Sequence, residues 1–347
     1  MSILKTRYWD LRPRVWLKKL KDRGCAEYSV ISVDPPVFYV YLGRDLAPVY
    51  KLLKDRDAYF LFAFTRSMEE RSVVENLKKN TEDHEKKFPR HRFIFLCNAK
   101  REVELLGGYG LSAHLINHNC FVDERIFTVK AGVEKFCDAV YDAQLSRVKR
   151  HYLASEIESL AFITYLFYPG LKEPYVLDVM RRFDKAHWFN RPYGRDHRLL
   201  VPGEVADALN KCRVGLCLSA EEGGMYASIQ YMLCGLPVVS TRSRGGRDEF
   251  FDERYVRIVD DSPGAVKSGV EEMINRNIPA GLIRGETIKK ITAHRERFIE
   301  LVQGIYGEQG VDRDFRLEWG QIFFNKMLKK RKIDEAVKII SKKVSPP

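Results

Sequence analysis

Short apolar runs alternate with amphipathic stretches along most of the chain. In the first third, runs rich in β-branched and aromatic residues are bounded by Asp, Pro or Gly, and they predict strands at 28–33, 38–42, 59–64 and 92–97. A helical pattern follows the last of these strands and ends at Gly107 and Gly108. Strands that alternate with helices are typical of a parallel α/β layer.

A second α/β series begins near residue 133. Its pattern predicts strands at 139–141, 161–168, 214–219 and 237–241, and helices at 149–160 and 226–234. After Asp260 the pattern predicts helices only. We therefore expect two α/β lobes that meet near residues 126–136, with a ligand cleft between them.

Composition narrows the class of protein. The 347 residues are 45% hydrophobic and 31% charged, which excludes disordered, collagen-like and coiled-coil chains. Lys and Arg (59) exceed Asp and Glu (47), and the net charge of +12 favours anionic partners such as phosphates, nucleic acid or an acidic membrane. The seven scattered cysteines form no CxxC pair, which predicts reduced thiols in a cytoplasmic protein. No apolar run is long enough to span a membrane.

The stretch VGLCLSAEEGGMYASIQYMLCGLPVVST, from Val214 to Thr241, carries the clearest chemistry. It predicts a buried strand, an acidic Gly-rich turn and a helix, and ligands of open α/β sheets lie outside the carboxyl ends of such strands. Four backbone N–H groups would be free at the helix N-terminus to bind a phosphate or a sugar hydroxyl. They belong to Gly223, Gly224, Met225 and Tyr226. Glu222 can accept hydrogen bonds from a diol, and Gln230 lies two helical turns later on nearly the same face.

This stretch resembles the nucleotide-sugar site of retaining GT-B glycosyltransferases, glycosyltransferase family 4 in particular. The family motif is a strand, a turn of the form EGFG, a helix with a second Glu after seven residues, and the ending A-CG-PVV. Here the sequence reads EGGMYASIQYMLCGLPVV. The spacing, the first Glu and the ending match, whereas Gln230 stands where the family usually has its second Glu.

The resemblance implies an α/β protein of GT-B architecture, with two Rossmann-like lobes facing across a cleft and a C-terminal helical tail. It implies a short N-terminal acceptor lobe (1–130), a nucleotide-sugar-binding lobe (131–310) and helices that pack back toward the first lobe (311–347). The implied activity is retaining, metal-independent transfer of a hexose or deoxyhexose. The donor is a UDP-, GDP- or dTDP-sugar, the acceptor is a hydroxyl of a cell-surface glycan or a lipid-linked saccharide, and no cofactor is needed.

The same resemblance assigns roles to the motif. Glu222 would contact the donor sugar as a catalytic residue, the amides after it would contact sugar or phosphate, and Gln230 would hold the ribose. A Gln lacks the charge-assisted hydrogen bonds that a carboxylate makes to a 2′,3′-diol. A dTDP-sugar, which lacks the 2′-hydroxyl, is therefore one hypothesis for the donor.

A second match lies in DAVYDAQLSRVKRHYLASEI, residues 138–157. The family pattern is a strand, then G-R-L, then a Lys five residues beyond the Arg, and both cations bind the donor diphosphate. Lys149 takes the Lys position and Gln144 the Arg position, with Arg147 and Arg150 as nearby cations. Lys149 is the main catalytic candidate because charge builds up on the departing diphosphate. The alternative is a basic helix start that faces water.

Three further residues are candidates for the cleft. Arg247, after the Gly245-Gly246 pair, follows a strand and could reach the donor or an anionic acceptor. His118 and Asn119 lie in a segment similar to the family's linker between lobes, although a structural role is the competing interpretation. No motif with metal-ligand spacing is found, so no metal site is predicted.

The basic ends and the overall function leave alternatives open. Residues 7–23 and 326–343 combine basic with apolar residues, which suits either an anionic membrane surface or plain solvated charge. We expect a cytoplasmic enzyme, with peripheral attachment to the inner face of the membrane as one interpretation. The alternative function is a degenerate, non-catalytic GT-B protein that binds nucleotide-sugar or glycan. No basic-aromatic motif supports a nucleic-acid partner.

Overall fold

The computed structural model describes residues 28–43, 46–165, 173–193, 198–324 and 327–328. The basic segment 7–23 lies outside the described residues, and so does segment 326–343 apart from Met327 and Leu328. Within the described part of the chain, no helix combines the length and the apolar character needed to cross a membrane.

The first sheet contains β1 to β5 in chain order. Their bounds are Tyr28–Val33, Pro36–Tyr41, Ala58–Ala63, His91–Cys97 and Ala113–Leu115. β1 and β2 are antiparallel, and β2 to β5 are parallel. The parallel strands are connected by α1 (Ala47–Leu52), α2 (Arg71–Lys87) and α3 (Lys100–Gly108). The four strands predicted in this region are confirmed, with small shifts at their ends.

The two faces of this sheet pack against different parts of the chain. Alternate side chains point to opposite faces, so Phe38 packs with α1 to α3, while Tyr39 points away from them. The Tyr39 ring lies 5.2 Å from that of Phe121 in the linker between lobes and 6.4 Å from that of Phe298 near the C-terminus. The core of the first lobe is therefore completed by residues from outside it.

The second sheet is parallel throughout. Its strands are β6 (Cys137–Gln144), β7 (Leu160–Tyr165), β8 (His187–Trp188), β9 (Cys212–Cys217), β10 (Val238–Thr241) and β11 (Val256–Val259). The order across the sheet is β8-β7-β6-β9-β10-β11. This is the Rossmann order, in which the connection reverses direction between the first and fourth strands and ligands bind at that point. The predicted α/β class is confirmed, and the ligand-binding point falls between β6 and β9.

The helices that connect this sheet are unevenly developed. β7 to β10 are joined through α4 (Pro174–Arg182), α5 (Pro202–Asn210) and α6 (Tyr226–Leu233). The helix predicted at 149–160 is wrong, because two short 3-10 turns, Arg147–Lys149 and His151–Ala154, join β6 to β7 instead. Arg150 between the turns has a φ of 50° and holds a left-handed conformation that ends any helix there.

In the described part of the chain, three helices follow the second sheet: α7 (Pro263–Asn275), α8 (Ala280–Glu308) and α9 (Phe315–Ile322). The prediction of helices alone after Asp260 is wrong at two-residue strands β12 (Phe323–Phe324) and β13 (Met327–Leu328), where adjacent aromatic residues favour strand pairing. The chain returns to the first lobe after α8, since the Gln309 amide donates to the Tyr59 hydroxyl at 2.9 Å.

The long helix α8 also holds the linker between the lobes. The Arg284 guanidinium donates to the carbonyl oxygens of Glu124 and Phe127, at 2.7 and 2.5 Å. About three turns further along α8, Arg295 donates to the Cys120 carbonyl at 2.7 Å and pairs with the Glu124 carboxylate. These bonds satisfy linker carbonyls that make no ladder hydrogen bonds, and so they fix the path of the chain between the sheets.

Candidate functional site

The loops after β6 and β9 meet at the reversal point of the second sheet. The Lys149 ammonium forms an ion pair with the Glu222 carboxylate, and the Ser219 hydroxyl donates to the same carboxylate oxygen at 2.6 Å. Only 11% of the Lys149 side chain and 12% of the Glu222 side chain are exposed. A sheltered cation and carboxylate therefore lie together where the fold places a ligand.

The backbone around Lys149 is held from two sides. The Tyr141 hydroxyl, from β6, donates to the Lys149 carbonyl at 2.5 Å. Arg150 donates to the Leu218 carbonyl, the Thr241 hydroxyl and the Asp261 carboxylate, each at 2.6 Å. Arg150 thus ties the turn to the ends of β9 and β10, and this tertiary anchoring stabilises its left-handed backbone. Burial and the nearby Glu222 charge raise the pKa of Tyr141 well above its ordinary value, so this hydroxyl stays a donor.

The glycines of the acidic turn contact the other lobe. A Cβ atom on Gly223 would lie 2.7 Å from the Thr65 carbonyl carbon, and one on Gly224 would lie 2.8 Å from His118 Nε2. Both distances are shorter than real Cβ contacts allow. Glycine is needed at both positions because the backbone of the second lobe packs directly against the end of β3 and against the linker between the lobes.

A second pair of glycines packs against the first turn and against the first lobe. A Cβ atom on Gly245 would lie 1.8 Å from the Glu222 carbonyl oxygen, and Gly245 has a φ of +92°, which favours glycine. A Cβ atom on Gly246 would lie 2.2 Å from Asn98 Cβ at the end of β4. The Gly245 amide also donates to the Glu69 carboxylate at 2.9 Å. We call these two turns, 223–224 and 245–246, the glycine seam.

His118 and Asn119 lie on the first-lobe side of the glycine seam. The two His118 ring nitrogens lie 3.1 Å from the Phe64 carbonyl oxygen and 2.7 Å from that of Gly224. Asn119 donates its side-chain amide to the Met225 carbonyl at 3.1 Å, and its Oδ1 is buried without a hydrogen-bond partner in the described structure. Both residues therefore join the lobes directly beside the turn that precedes α6.

Two buried asparagines that sequence reasoning missed complete this contact. Asn117 donates to the Asn98 carbonyl at 2.9 Å and to the Gly246 carbonyl at 2.7 Å. Asn98 donates to the Phe64 carbonyl and accepts from the His118 amide, at 2.9 and 3.1 Å. Asn98 directly follows the apolar strand RFIFLC, and a polar residue at a strand end was the signal that could have identified it.

A buried carboxylate, which sequence reasoning also missed, holds the backbone of Asn98 in place. Glu102 in α3 is fully buried and accepts from the backbone amides of Asn98 and Met68, at 2.7 and 2.9 Å. Burial raises the pKa of Glu102, while the amide hydrogen bonds act against that rise. Glu102 thereby fixes the loops after β3 and β4, which form the first-lobe wall of the site.

Tyr226 joins the lobes through its side chain. Its hydroxyl lies 2.7 Å from that of Tyr41 at the end of β2, and its ring centroid lies 4.9 Å from that of His118. Burial raises the pKa of Tyr226 well above its ordinary value, so the phenol is neutral. Tyr41 was missed because nothing in the local pattern of β2 distinguishes it from its neighbours.

The remaining donor-site candidates at α6, Met225 and Gln230, are both buried. Met225 is buried, and its carbonyl accepts from Asn119 and from the Ser228 hydroxyl at 2.7 Å. The amides of Gly224 and Met225 have no acceptor among the described residues. Gln230 is buried at 3% exposure, on the helix that Glu222 precedes. The start of α6 thus presents unpaired N–H groups close to the Lys149–Glu222 pair.

Three other candidates lie apart from this group. Arg247 is fully buried and donates to the Cys217, Ser219 and Thr241 carbonyls at 3.0, 2.8 and 2.5 Å. Its guanidinium holds the carboxyl edge of the sheet together and has no face toward the cleft. Gln144 ends β6 and is partly buried. Arg147 is exposed and lies over the Tyr175 ring at 5.4 Å.

The acidic, His and Cys side chains are the potential metal ligands of the chain. Across residues 28–328, leaving aside the undescribed gaps, no three of these side chains are grouped so that they could hold a metal ion. The cysteines at 97, 120, 137, 212, 217 and 234 are buried and unpaired.

Comparisons with solved structures identify the fold. HepE from Anabaena, in complex with UDP, is similar over 77% of this chain and 78% of its own, with 11% identity and a TM-score of 0.56. TarM from S. aureus, in complex with Fondaparinux, alpha-GlcNAc-glycerol and UDP, is similar over 82% of this chain and 57% of its own, with 12% identity and a TM-score of 0.54.

A third neighbour is the pneumococcal O-GlcNAc transferase GtfA, in complex with UDP and GlcNAc. It is similar over 79% of this chain and 57% of its own, with 14% identity and a TM-score of 0.53. No protein-family model matches the sequence, and no curated protein matches it either. The structural likeness, at this low identity, concerns the fold, and it confirms the expected GT-B architecture of two Rossmann-like lobes.

Proposed function

We propose that the protein is a glycosyltransferase that moves a hexose or deoxyhexose from a nucleoside-diphosphate sugar to a hydroxyl of a glycan or lipid-linked saccharide. The observation that carries the proposal is the Lys149–Glu222 pair beside the unpaired amides at the start of α6. A cation and helix N–H groups suit a diphosphate, and a carboxylate suits sugar hydroxyls. This combination lies at the reversal point of a Rossmann sheet, where nucleotides bind.

The donor is oriented by three groups in this proposal. The Lys149 ammonium and the Gly224 and Met225 amides take the diphosphate, and Glu222 accepts hydrogen bonds from the sugar. Gln230 lies along α6 toward the ribose. His118, with its Nε2 held at the Gly224 carbonyl, is a positioning residue for the turn rather than a group that touches the diphosphate.

The proposed reaction retains the configuration of the sugar and needs no enzyme nucleophile. The bond from the anomeric carbon to the diphosphate oxygen breaks, and the acceptor oxygen bonds to that carbon from the same face. The acceptor proton passes to the departing diphosphate, so atoms and charge balance. Lys149 and the start of α6 stabilise the charge that develops on the leaving group, without a metal or a further cofactor.

The structural neighbours support the choice of donor class. HepE, TarM and GtfA were each solved with UDP, and GtfA is an O-GlcNAc transferase. Their shared fold makes a nucleoside diphosphate the first ligand to test on this chain. The buried, unpaired cysteines support a reducing, cytoplasmic location, and the net charge of +12 supports contact with an anionic membrane surface.

A thermal-shift screen tests the proposal directly. The purified protein is heated with UDP, GDP, dTDP, ADP or CMP, first without metal and then with Mg²⁺. A ligand at about a hundred times its dissociation constant adds about 2.7 kcal/mol to stability, which is a rise of several degrees. We expect one diphosphate to raise the melting temperature with and without Mg²⁺, and Lys149→Ala to abolish the rise. No shift with any of the five would refute the proposed donor site.

A second candidate function is a non-catalytic binding protein. The observation that favours it is that Gln144 and Gln230 stand at positions where the family that this sequence resembles has charged residues. Release of nucleoside diphosphate from the sugar donor, with water or a saccharide as acceptor, separates the two functions. Binding without any such release would favour the non-catalytic protein.

A further inference from the structure

A groove opens on the second lobe where the β6 to β7 connection is short. It has a volume of about 430 Å³, within the range of about 300–1,000 Å³ typical of small-molecule sites. One wall is formed by the 3-10 turns and the other by α4. The lining residues are Arg147, Tyr152, Pro174, Tyr175, Asp178, Val179 and Arg182.

The α4 wall is a single face of the helix. Pro174, Asp178 and Arg182 are spaced four residues apart, and Tyr175 and Val179 flank them with the same spacing. Eight residues of helix extend about 12 Å, so the groove is as long as two to three linked small rings. Arg147 lies at the Tyr175 end, and Arg182 lies at the other end.

The groove carries more positive than negative charge. Asp178 lies 3.0 Å from Arg181, outside the groove, and 3.9 Å from Arg182 inside it. Arg147 makes no ion pair with a carboxylate of the described chain. The groove therefore contains two guanidinium groups and one carboxylate, and that carboxylate also pairs with Arg181 outside the groove. This excess of positive charge favours a ligand with a negative group.

Tyr175, on the α4 wall, is held in a fixed orientation. The Tyr175 hydroxyl lies 3.0 Å from Nδ1 of His151, which is fully buried. Burial lowers the pKa of His151 to about 3, so the imidazole is neutral and Nδ1 can accept from the phenol. Arg147 covers one face of the Tyr175 ring, whereas Tyr152 is 48% exposed at the groove mouth.

We propose that this groove binds a saccharide unit that carries a negative group. The ring C–H face of the sugar packs on Tyr152, its hydroxyls donate to Asp178, and its carboxylate or phosphate pairs with Arg182. Lys149 lies two residues from Arg147 on the same 3-10 turn, so the groove adjoins the turn that carries the proposed transfer site. Its role as an acceptor subsite rests on the proposed function, whereas the binding itself does not.

Ligand-observed NMR with saturating UDP present tests the binding outside the donor site. The probes are glucose, glucose 6-phosphate, glucuronic acid and inorganic phosphate, each titrated onto the whole protein. We expect glucose 6-phosphate or glucuronic acid to bind at least about tenfold more tightly than either glucose or phosphate alone. The charged sugar that binds best identifies whether phosphate or carboxylate is the recognised group.

Neighbouring arginines of α4 provide a matched pair of variants. Arg182→Gln and Tyr152→Ala should each weaken binding of that sugar by about tenfold, because they remove a charge-assisted contact and the ring platform. Arg181→Gln, which removes an exposed cation outside the groove, should change binding less than about twofold. Equal effects of Arg181→Gln and Arg182→Gln, or no binding of any charged sugar, would overturn the proposal.

The presence of UDP in the titrations keeps the test of the groove separate from the test of the proposed function. Loss of the sugar signal when UDP is added would place the sugar in the donor site and overturn the groove. Retained sugar binding in a protein that shows no thermal shift with any nucleotide would support the groove and refute the donor site.

Discussion

Lys149 and Glu222 form an ion pair although they lie 73 residues apart in the chain. Each comes from the carboxyl end of a different strand, and both side chains are nearly buried. In the proposed reaction the two charges serve different parts of one ligand, since the ammonium faces the diphosphate and the carboxylate faces the sugar. The pair keeps two buried charges compensated until that ligand takes its place.

Removal of the cation should reduce turnover without unfolding the protein. Lys149→Ala is expected to lower the rate of nucleoside-diphosphate release by about a hundredfold or more, the usual effect of removing one group that stabilises transition-state charge. Circular dichroism should stay near that of the unaltered protein, while the melting temperature should fall, because Glu222 becomes a nearly buried charge with Ser219 as its remaining donor.

Lys130→Ala is the matched control for that variant. It also breaks a lysine–carboxylate pair, with Asp207, but that pair is about half exposed and joins the linker to α5 rather than the loops of the site. Exposed pairs contribute about 0–1 kcal/mol, so neither stability nor turnover should change appreciably. Near-normal turnover in Lys149→Ala would contradict the catalytic assignment.

The glycine seam should tolerate no side chain. In Gly223→Ala the new Cβ would meet backbone atoms of Thr65 and Arg66 in the other lobe, which cannot rotate away. We expect a loss of about 1–3 kcal/mol of stability, the usual cost of overpacking. Gly285→Ala in α8 has open space around its Cβ and should instead stabilise the protein by about 0.5–1 kcal/mol. Calorimetric melting of the two variants tests this, and a stable Gly223→Ala would mean that the lobes are not in contact there.

The amide of Gln230 should set the preference between ribose and deoxyribose donors. Gln230→Glu restores a carboxylate that makes charge-assisted hydrogen bonds to a 2′,3′-diol. The ratio of UDP affinity to dTDP affinity, measured by calorimetric titration, should then rise by about tenfold. An unchanged ratio would show that residue 230 does not contact the ribose.

The buried histidine beside the groove should make stability depend on pH. The folded pKa of His151 is about 3, below its ordinary value of 6.5, because burial and the nearby Lys149 charge disfavour the cation. Below pH 6.5 the unfolded chain therefore binds a proton that the folded chain does not. Stability should fall as the pH drops from 6.5 toward 3, with a contribution of up to about 1.4 kcal/mol per pH unit.

Urea unfolding of the unaltered protein and of His151→Phe at pH 7.5, 6.0 and 5.0 measures this contribution. The phenyl ring has a similar volume and keeps the contacts with Tyr141 and Phe162. The variant should lose less stability than the unaltered protein between pH 6.0 and 5.0. Equal losses would mean that His151 is protonated in the folded state.

Local patterns predicted most strands and the point where the loops of the site meet. Apolar runs bounded by turn residues identified β3, β4, β9 and β10, because strands buried on both faces need such runs. The proximity of Lys149 and Glu222 follows from the same reasoning, since both follow parallel strands. The resemblance to a known family then supplied the roles that remain proposals.

The sequence could not predict features that depend on contacts between the lobes. Tyr41 and Asn117 were missed because their partners are distant in the chain, and no local period marks them. The helix at 149–160 was wrong for a related reason. Arg150 is held in a left-handed conformation by three hydrogen bonds to other loops, and those tertiary contacts outweigh helix propensity.

Helix α8 makes the two lobes one cooperative unit. It supplies Phe298 to the ring cluster under the first sheet, and its Arg284 binds the Leu233 carbonyl at the end of α6. Neither lobe can lose its structure without exposing apolar surface on the same helix. Heat or denaturant should therefore melt the sheets together in a single transition, and a chain shortened before residue 280 would leave both cores incomplete.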